Sequence, residues 1–87
     1  YANAEIMLYP NPAQDMVHFK LDLGAPETLQ VRFLDLTGRA VYTTDAATYN
    51  SGISYINIPV AKFAAGYYTY TVSRPNSIAA KGIFVKQ

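Results

Sequence analysis

Cysteine is absent from these 87 residues, so neither a disulfide nor a cysteine-ligated metal site can hold the fold. That leaves the compartment open, because a disulfide-free domain works in cytosol, periplasm or outside the cell. Tryptophan is missing as well, and histidine occurs once, at His18. A lone histidine with no carboxylate at ligand spacing makes no metal site, and no other motif calls for a metal or cofactor. Charge is sparse: seven Lys and Arg against six Asp and Glu give +1, with no basic run to track a phosphate backbone. Nucleic acid is therefore not an expected partner. No apolar run approaches the roughly 18 residues of a membrane helix, and the first residues lack the charged and apolar regions of a signal peptide. An export signal, if the chain is secreted, would lie upstream. Helical periodicity is the remaining absence: no helix longer than about two turns can be drawn, which argues against a parallel sheet with helical crossovers.

Apolar residues make up 51% of the chain and eight residues are tyrosine, far from the composition of a disordered segment. The length is that of one domain, burying roughly 60–65% of the surface its unfolded chain exposes. The apolar pattern has period two, which is the pattern of half-buried strands. Val17, Phe19 and Leu21 alternate with His18, Lys20 and Asp22; after Gly24-Ala25-Pro26-Glu27, Leu29, Val31 and Phe33 alternate with Gln30 and Arg32. The two runs suggest a hairpin. Further strands are expected at Ile6–Tyr9, Ala40–Thr44, Tyr55–Ile58, Tyr67–Ser73 and Lys81–Lys86. Asp45–Gly52 reads as the longest polar loop, and Val60–Ala65 as the one place for a short helical turn. The fold class expected is all-β, an immunoglobulin-like antiparallel β-sandwich of about seven strands, without the Cys and Trp marks of antibody domains.

Few residues offer chemistry. His18 falls on the polar side of its strand and reads as an unpartnered surface residue. Ser51, Ser54, Ser73 and Ser77 sit in or beside expected turns, none in a G-x-S-x-G elbow. The carboxylates are scattered, so no glycosidase pair is legible. Asp35-Leu36-Thr37-Gly38 reads as a hairpin turn, with the Asp35 side chain accepting backbone N–H groups and Gly38 supplying positive φ; the further ligands of a calcium loop are missing. Tyr68, Tyr70 and Val72 share one face, taken as inward, while Tyr67, Thr69 and Thr71 share the other, where β-propensity alone accounts for them. Pro10 and Pro12 around Asn11 make Tyr9–Pro12 stiff and non-helical, suited to a sheet edge or to the lead into a strand.

The Tyr9-Pro10-Asn11-Pro12 segment, the Asp35-Leu36-Thr37-Gly38-Arg39 turn, the Ala65-Gly66-Tyr67-Tyr68 start of the sixth expected strand and the Lys81–Lys86 ending follow in an order and spacing that resemble one family. It is the C-terminal sorting domain of the type IX (Por) secretion system of Bacteroidetes, and the resemblance covers about residues 8 to 87. Two departures are visible: Phe63-Ala64-Ala65-Gly66 stands where the family often has Leu-Pro-Ala-Gly, and Gln87 follows a lysine that often ends family members.

The resemblance implies a signal rather than an enzyme, with no cofactor. It implies an N-terminal cargo domain in the same precursor, type IX translocon and shuttle components as partners, and a surface sortase that takes the chain as substrate. The cargo would pass through the periplasm to the cell surface or beyond, anchored to lipopolysaccharide or released. On the same resemblance the sorting-motif residues are Tyr9, Pro10, Asn11, Pro12, Asp35, Gly38, Gly66, Tyr68, Lys81, Val85 and Lys86. Residues 1–8 would be a linker leading into the first strand, with cleavage within or just upstream of Tyr1–Glu5, and residues 9–87 the sorting domain. The prolines would stiffen that junction. The alternative is a cell-surface carbohydrate- or protein-binding sandwich using Tyr67, Tyr42 or Tyr49.

Overall fold

A computed structural model describes residues 4–87, and every regular element in it is a strand. The elements are β1 (Ala4–Tyr9), β2 (Met16–Leu23), β3 (Glu27–Leu34), β4 (Ala40–Thr43), β5 (Ala47–Tyr49), β6 (Gly52–Pro59), β7 (Gly66–Ser73) and β8 (Ile78–Lys86). They form two antiparallel sheets, one ordered β1-β2-β6 and the other β4-β3-β7-β8, with β5 also on β3. This is an immunoglobulin-like sandwich.

Period-two patterning builds the core. Val17, Phe19 and Leu21 of β2, with Ile58 of β6, face Val31 and Phe33 of β3, Val72 of β7 and Phe84 of β8, all with no exposed surface. Aromatic edges knit the middle: the Phe33 ring lies 5.5 Å from Phe84 and the Phe19 ring 5.3 Å from Tyr70, both edge-on. Tyr68 and Val72 are buried, Tyr70 packs against the core and Tyr67 is exposed, as the alternation in that strand requires.

Three expectations are corrected. β2 and β3 do not form a hairpin: β2 pairs with β1 and β6, β3 with β4, β5 and β7, so Gly24-Ala25-Pro26 carries the chain from one sheet to the other. The Asp45–Gly52 loop contains β5, an eighth strand that follows β4 along the same side of β3; Thr44, between them, donates its N–H to Val31 C=O at 2.9 Å. Val60–Ala65 holds a single turn closed by Phe63 N–H on Val60 C=O (3.0 Å), not a helix.

β1 touches β8, and Phe19 on β2 lies between Tyr70 of β7 and Phe33 of β3. β6 therefore lies over β3, and among the described residues no strand of the smaller sheet faces β4.

Candidate functional site

Asn11 is the centre of the site, because its side chain acts as a piece of backbone. Its Nδ2 donates to the Ile83 carbonyl at 2.8 Å and its Oδ1 accepts the Val85 N–H at 2.9 Å, so one carboxamide occupies the place of a peptide group beside β8. The true backbone takes over two residues later: Ala13 N–H donates to Val85 C=O (3.1 Å) and Gln87 N–H to Ala13 C=O (2.9 Å), a parallel bridge of Ala13 to Lys86. Ala13 is buried, whereas Pro10, Asn11 and Pro12 are exposed. Both X–Pro bonds of the segment are cis.

The prolines thus flank a strap over the outer edge of β8. Proline has no N–H to leave unpaired where the strap faces solvent, which suits an edge. Sequence reading offered a sheet edge or the lead into a strand for this segment without tying it to β8, and Ala13 carried no signal at all.

Tyr9 closes β1 with its ring 5.4 Å from His18. His18 is not unpartnered as expected: its Nδ1 is 2.6 Å from Asn57 Oδ1 across the β2–β6 pair, a cross-strand contact fixed by register rather than by local sequence. The start of β7 meets the C-terminal strand in the same region. Gly66, at φ +143°, pairs with Lys86, and Tyr68 pairs with Phe84. The Tyr68 hydroxyl donates to Ala64 C=O at 2.5 Å, tying the Phe63-Ala64-Ala65-Gly66 turn to the strand that follows, in the manner of a tyrosine corner. Val85 and Lys86 are half-buried, and Lys86 Nζ donates to Gln87 C=O (2.9 Å). Lys81 stands apart: it pairs with Thr71, is exposed, and lies beyond the strap.

Asp35 and Gly38 form the β3–β4 turn. Asp35 Oδ1 accepts the Thr37 N–H (2.9 Å), the Thr37 hydroxyl (2.6 Å) and the Arg39 N–H (3.0 Å), while Gly38 N–H donates to Asp35 C=O (3.0 Å). Gly38 has φ +90°. The Thr37 hydroxyl first, then the Arg39 N–H, hold the Asp35 carboxyl below the ordinary carboxylate range. Asp35 and Tyr68 also share the wall of a cleft of about 800 Å³, lined by Val41, Tyr42, Pro59 and Phe63 with Arg39 and Lys62.

Sequence reading missed Gly82. A Cβ there would lie 2.7–2.9 Å from the Tyr70 ring, so the ring lies on the bare glycine backbone. Ser54 was expected at a turn but lies within β6, and its Oγ is buried with no hydrogen-bond partner. Among the described residues no cluster of three or more ligating side chains gathers for a metal. Tyr67 is on the outer face of its sheet whereas Tyr42 and Tyr49 pack toward the core, so Tyr67 shares no surface with the other two tyrosines of the alternative reading.

The sequence model of one protein family, described as the secretion system C-terminal sorting domain, matches residues 7–86. No curated protein matches the chain. Among solved structures, dimeric latent PorU from Porphyromonas gingivalis aligns with a TM-score of 0.70 at 24% identity, over 100% of this chain and 10% of that one. A β-glucosidase from Kluyveromyces marxianus aligns with a TM-score of 0.56 at 13% identity, over 100% of this chain and 15% of that one. At such identities the likeness is one of fold, and the chain spans a small part of each of these proteins.

Proposed function

The chain belongs to the family of secretion-system C-terminal sorting domains, and on that premise we propose how it serves as the address of a type IX cargo. The cargo domain precedes β1 in the same precursor. The type IX translocon and its shuttle components receive the folded sandwich in the periplasm, a surface sortase then cuts near the start of β1, and the cargo stays on lipopolysaccharide at the surface or is released. The proposed cleavage region, Tyr1–Glu5, falls partly outside the described residues; Ala4 and Glu5 are already paired with Leu23 and Asp22. Of residues 1–8, the proposed lead from cargo into the domain, 4–8 already lie in β1 and pair with β2. No residue has a catalytic role in this reading.

The observation that carries the reading is the strap. Asn11 and Ala13 hold β8 from Ile83 to Gln87, so the C-terminal strand is presented in one fixed, folded form. Ala4 and Gln87 also lie toward opposite ends of the domain: Ala4 pairs with Leu23 and Gly52 lies beside it, whereas Gln87 is bound to the strap that follows Tyr9. A receptor at the C-terminal end leaves the cargo end unobstructed. Tyr9, Pro10, Asn11, Pro12, Gly66, Tyr68, Val85 and Lys86 serve this end. Asp35 and Gly38 keep the β3–β4 turn beside it, and Lys81 extends the strand's exposed face.

The test is a fusion of residues 1–87 to a periplasm-targeted reporter in a type IX-competent host. Surface or extracellular reporter, dependent on the translocon, is the expected result. A reporter retained in the periplasm while the fused domain is folded would refute the reading.

A further inference from the structure

The smaller sheet is one strand short. It has three strands against four across the larger sheet, and the unmatched position lies beside β6 and opposite β4. The cleft lined by Val41, Tyr42, Pro59, Phe63 and Tyr68 adjoins that position at the Pro59 end of β6, a mainly apolar recess with Arg39 and Lys62 at its wall.

β6 differs from the other sheet edges in having, among the described residues, no protection along its length. β4 and β5 are four and three residues long, with a bulge between Phe33 and Leu34. β1 carries Glu5 and runs into Pro10. β8 carries Lys81, has a register shift at Val72/Ser73, and is covered by the strap over its last residues. β6 has eight residues, none charged, and no bulge against β2; Pro59 stands only at its end. Such an edge is a template for another strand. Val60 N–H donates to Asp15 C=O (2.9 Å), so by alternation Ile58, Ile56 and Ser54 turn their backbone groups to β2 while Asn57 and Tyr55 turn theirs outward.

We propose that β6 and the adjoining cleft accept an extended segment of a partner polypeptide as a fourth strand of the smaller sheet. This goes beyond the sorting role and does not depend on it. Its N–H and C=O groups pair with those of Tyr55 and Asn57, and its inward side chains, at every second position, are apolar and cover the recess walled by Tyr42 and Phe63, whose rings are in contact at 6.2 Å between centroids. Lys62, exposed and without an ion pair among the described residues, selects a carboxylate at one end of the segment, whereas Arg39 is already bound to Asp35. A second copy of this chain does not fit. Two β6 strands paired about a two-fold axis would bring the two overhanging β4 strands into the same space, since the overhang is only about one strand spacing, roughly 4.8 Å.

The test uses the isotope-labelled 87-residue chain and blocked hexapeptides that alternate Val with Thr and carry Glu at either end. Saturable amide shifts at Tyr55, Asn57, Tyr42 and Phe63 are expected, larger than any along β8, whose Phe84 ring packs on Phe63, and slowed exchange of the Tyr55 N–H. Tyr55→Pro removes one outward donor that the fold does not use and should weaken binding about fivefold. Where that variant fails to fold, Lys62→Glu decides: it should prefer the hexapeptide with Lys in place of Glu. The proposal is overturned if millimolar peptide gives no saturable shift or if the shifts fall on β8 and the strap. It is equally overturned if Lys62→Glu leaves the preference unchanged, or if sedimentation shows the free chain dimerising through β6.

Discussion

Asn11 and Val85, 74 positions apart, are joined by a 2.9 Å hydrogen bond from a backbone N–H to a side-chain oxygen. The same carboxamide donates to Ile83 C=O, so the two ends of the described chain are latched by one side chain.

Asn11→Ala removes both bonds and should cost about 1–2 kcal/mol, at the usual net worth of such bonds on a partly exposed edge. Asn11→Asp keeps the acceptor for Val85 but sets a carboxylate oxygen against the Ile83 carbonyl, and should be no more stable than the alanine variant. Urea denaturation of the two proteins checks this; a midpoint unchanged in both would mean that the latch contributes nothing.

This latch was not legible in the sequence, whereas much of the sandwich was. Period two located β2, β3 and β7 and put Phe19, Phe33 and Tyr68 inward, because a half-buried strand writes its orientation into every second residue. Asp35 and Gly38 announced their turn through side-chain chemistry acting over four residues. The misses were non-local or weakly patterned. Gly24-Ala25-Pro26 serves equally well as a hairpin loop or as a passage between sheets. Ala47-Thr48-Tyr49 has too few residues to show alternation. The His18–Asn57 bond, the cover of β8 by Asn11 and the meeting of Gly82 with Tyr70 depend on which strands become neighbours.

Gly38→Val places a β-branched residue at φ +90° with open space around it, so the loss is conformational strain alone, about 1–3 kcal/mol. Gly38→Asn should lose less, since asparagine tolerates left-handed backbone better. Thermal midpoints that rank Gly, Asn and Val in that order would bear out the strain argument; equal midpoints would contradict it.

The Asp35 turn also makes stability depend on pH. Its carboxyl is held below the ordinary carboxylate range in the folded chain, chiefly by the Thr37 hydroxyl and then by the Arg39 N–H. A lowered folded value means the stabilising contribution is present above the unfolded value and is lost as pH falls through the folded one. The stability difference between the wild type and Asp35→Asn should therefore be constant above about pH 5 and shrink as the pH falls below the usual unfolded carboxylate value of about 3.9. Denaturation series at several pH values measure it, and a difference that stays flat down to pH 2.5 or so would sink the argument.

Gly82→Val should destabilise by about 1–3 kcal/mol, because the Tyr70 ring cannot lift off without disturbing its edge contact with Phe19. Tyr70→Leu removes the obstructing ring. In the Tyr70→Leu background Gly82→Val should cost less than it does alone, a non-additivity expected of residues in contact. A double-mutant cycle with no coupling would show that the ring does not hold the site.

Lys86 separates recognition from folding. Its backbone pairs with Gly66 and bridges Ala13, but its side chain reaches only the Gln87 carbonyl, so Lys86→Ala leaves the strap intact and should cost under about 1 kcal/mol. Removing Lys86 and Gln87 together is a different change, because it also takes away the Gln87 N–H bond to Ala13 and half the parallel bridge. If the partner reads the lysine charge, Lys86→Ala should reduce surface delivery of a fused reporter with little change in melting midpoint, and Lys86→Arg should restore it. If delivery needs only a latched C-terminal strand, Lys86→Ala should be delivered normally, while Asn11→Ala and the two-residue truncation, which loosen the strap from either side, should both fail. Reporter location by cell fractionation, set beside the melting midpoint of each purified domain, tells these apart. Normal delivery of all four proteins would place recognition away from the strap and its strand altogether.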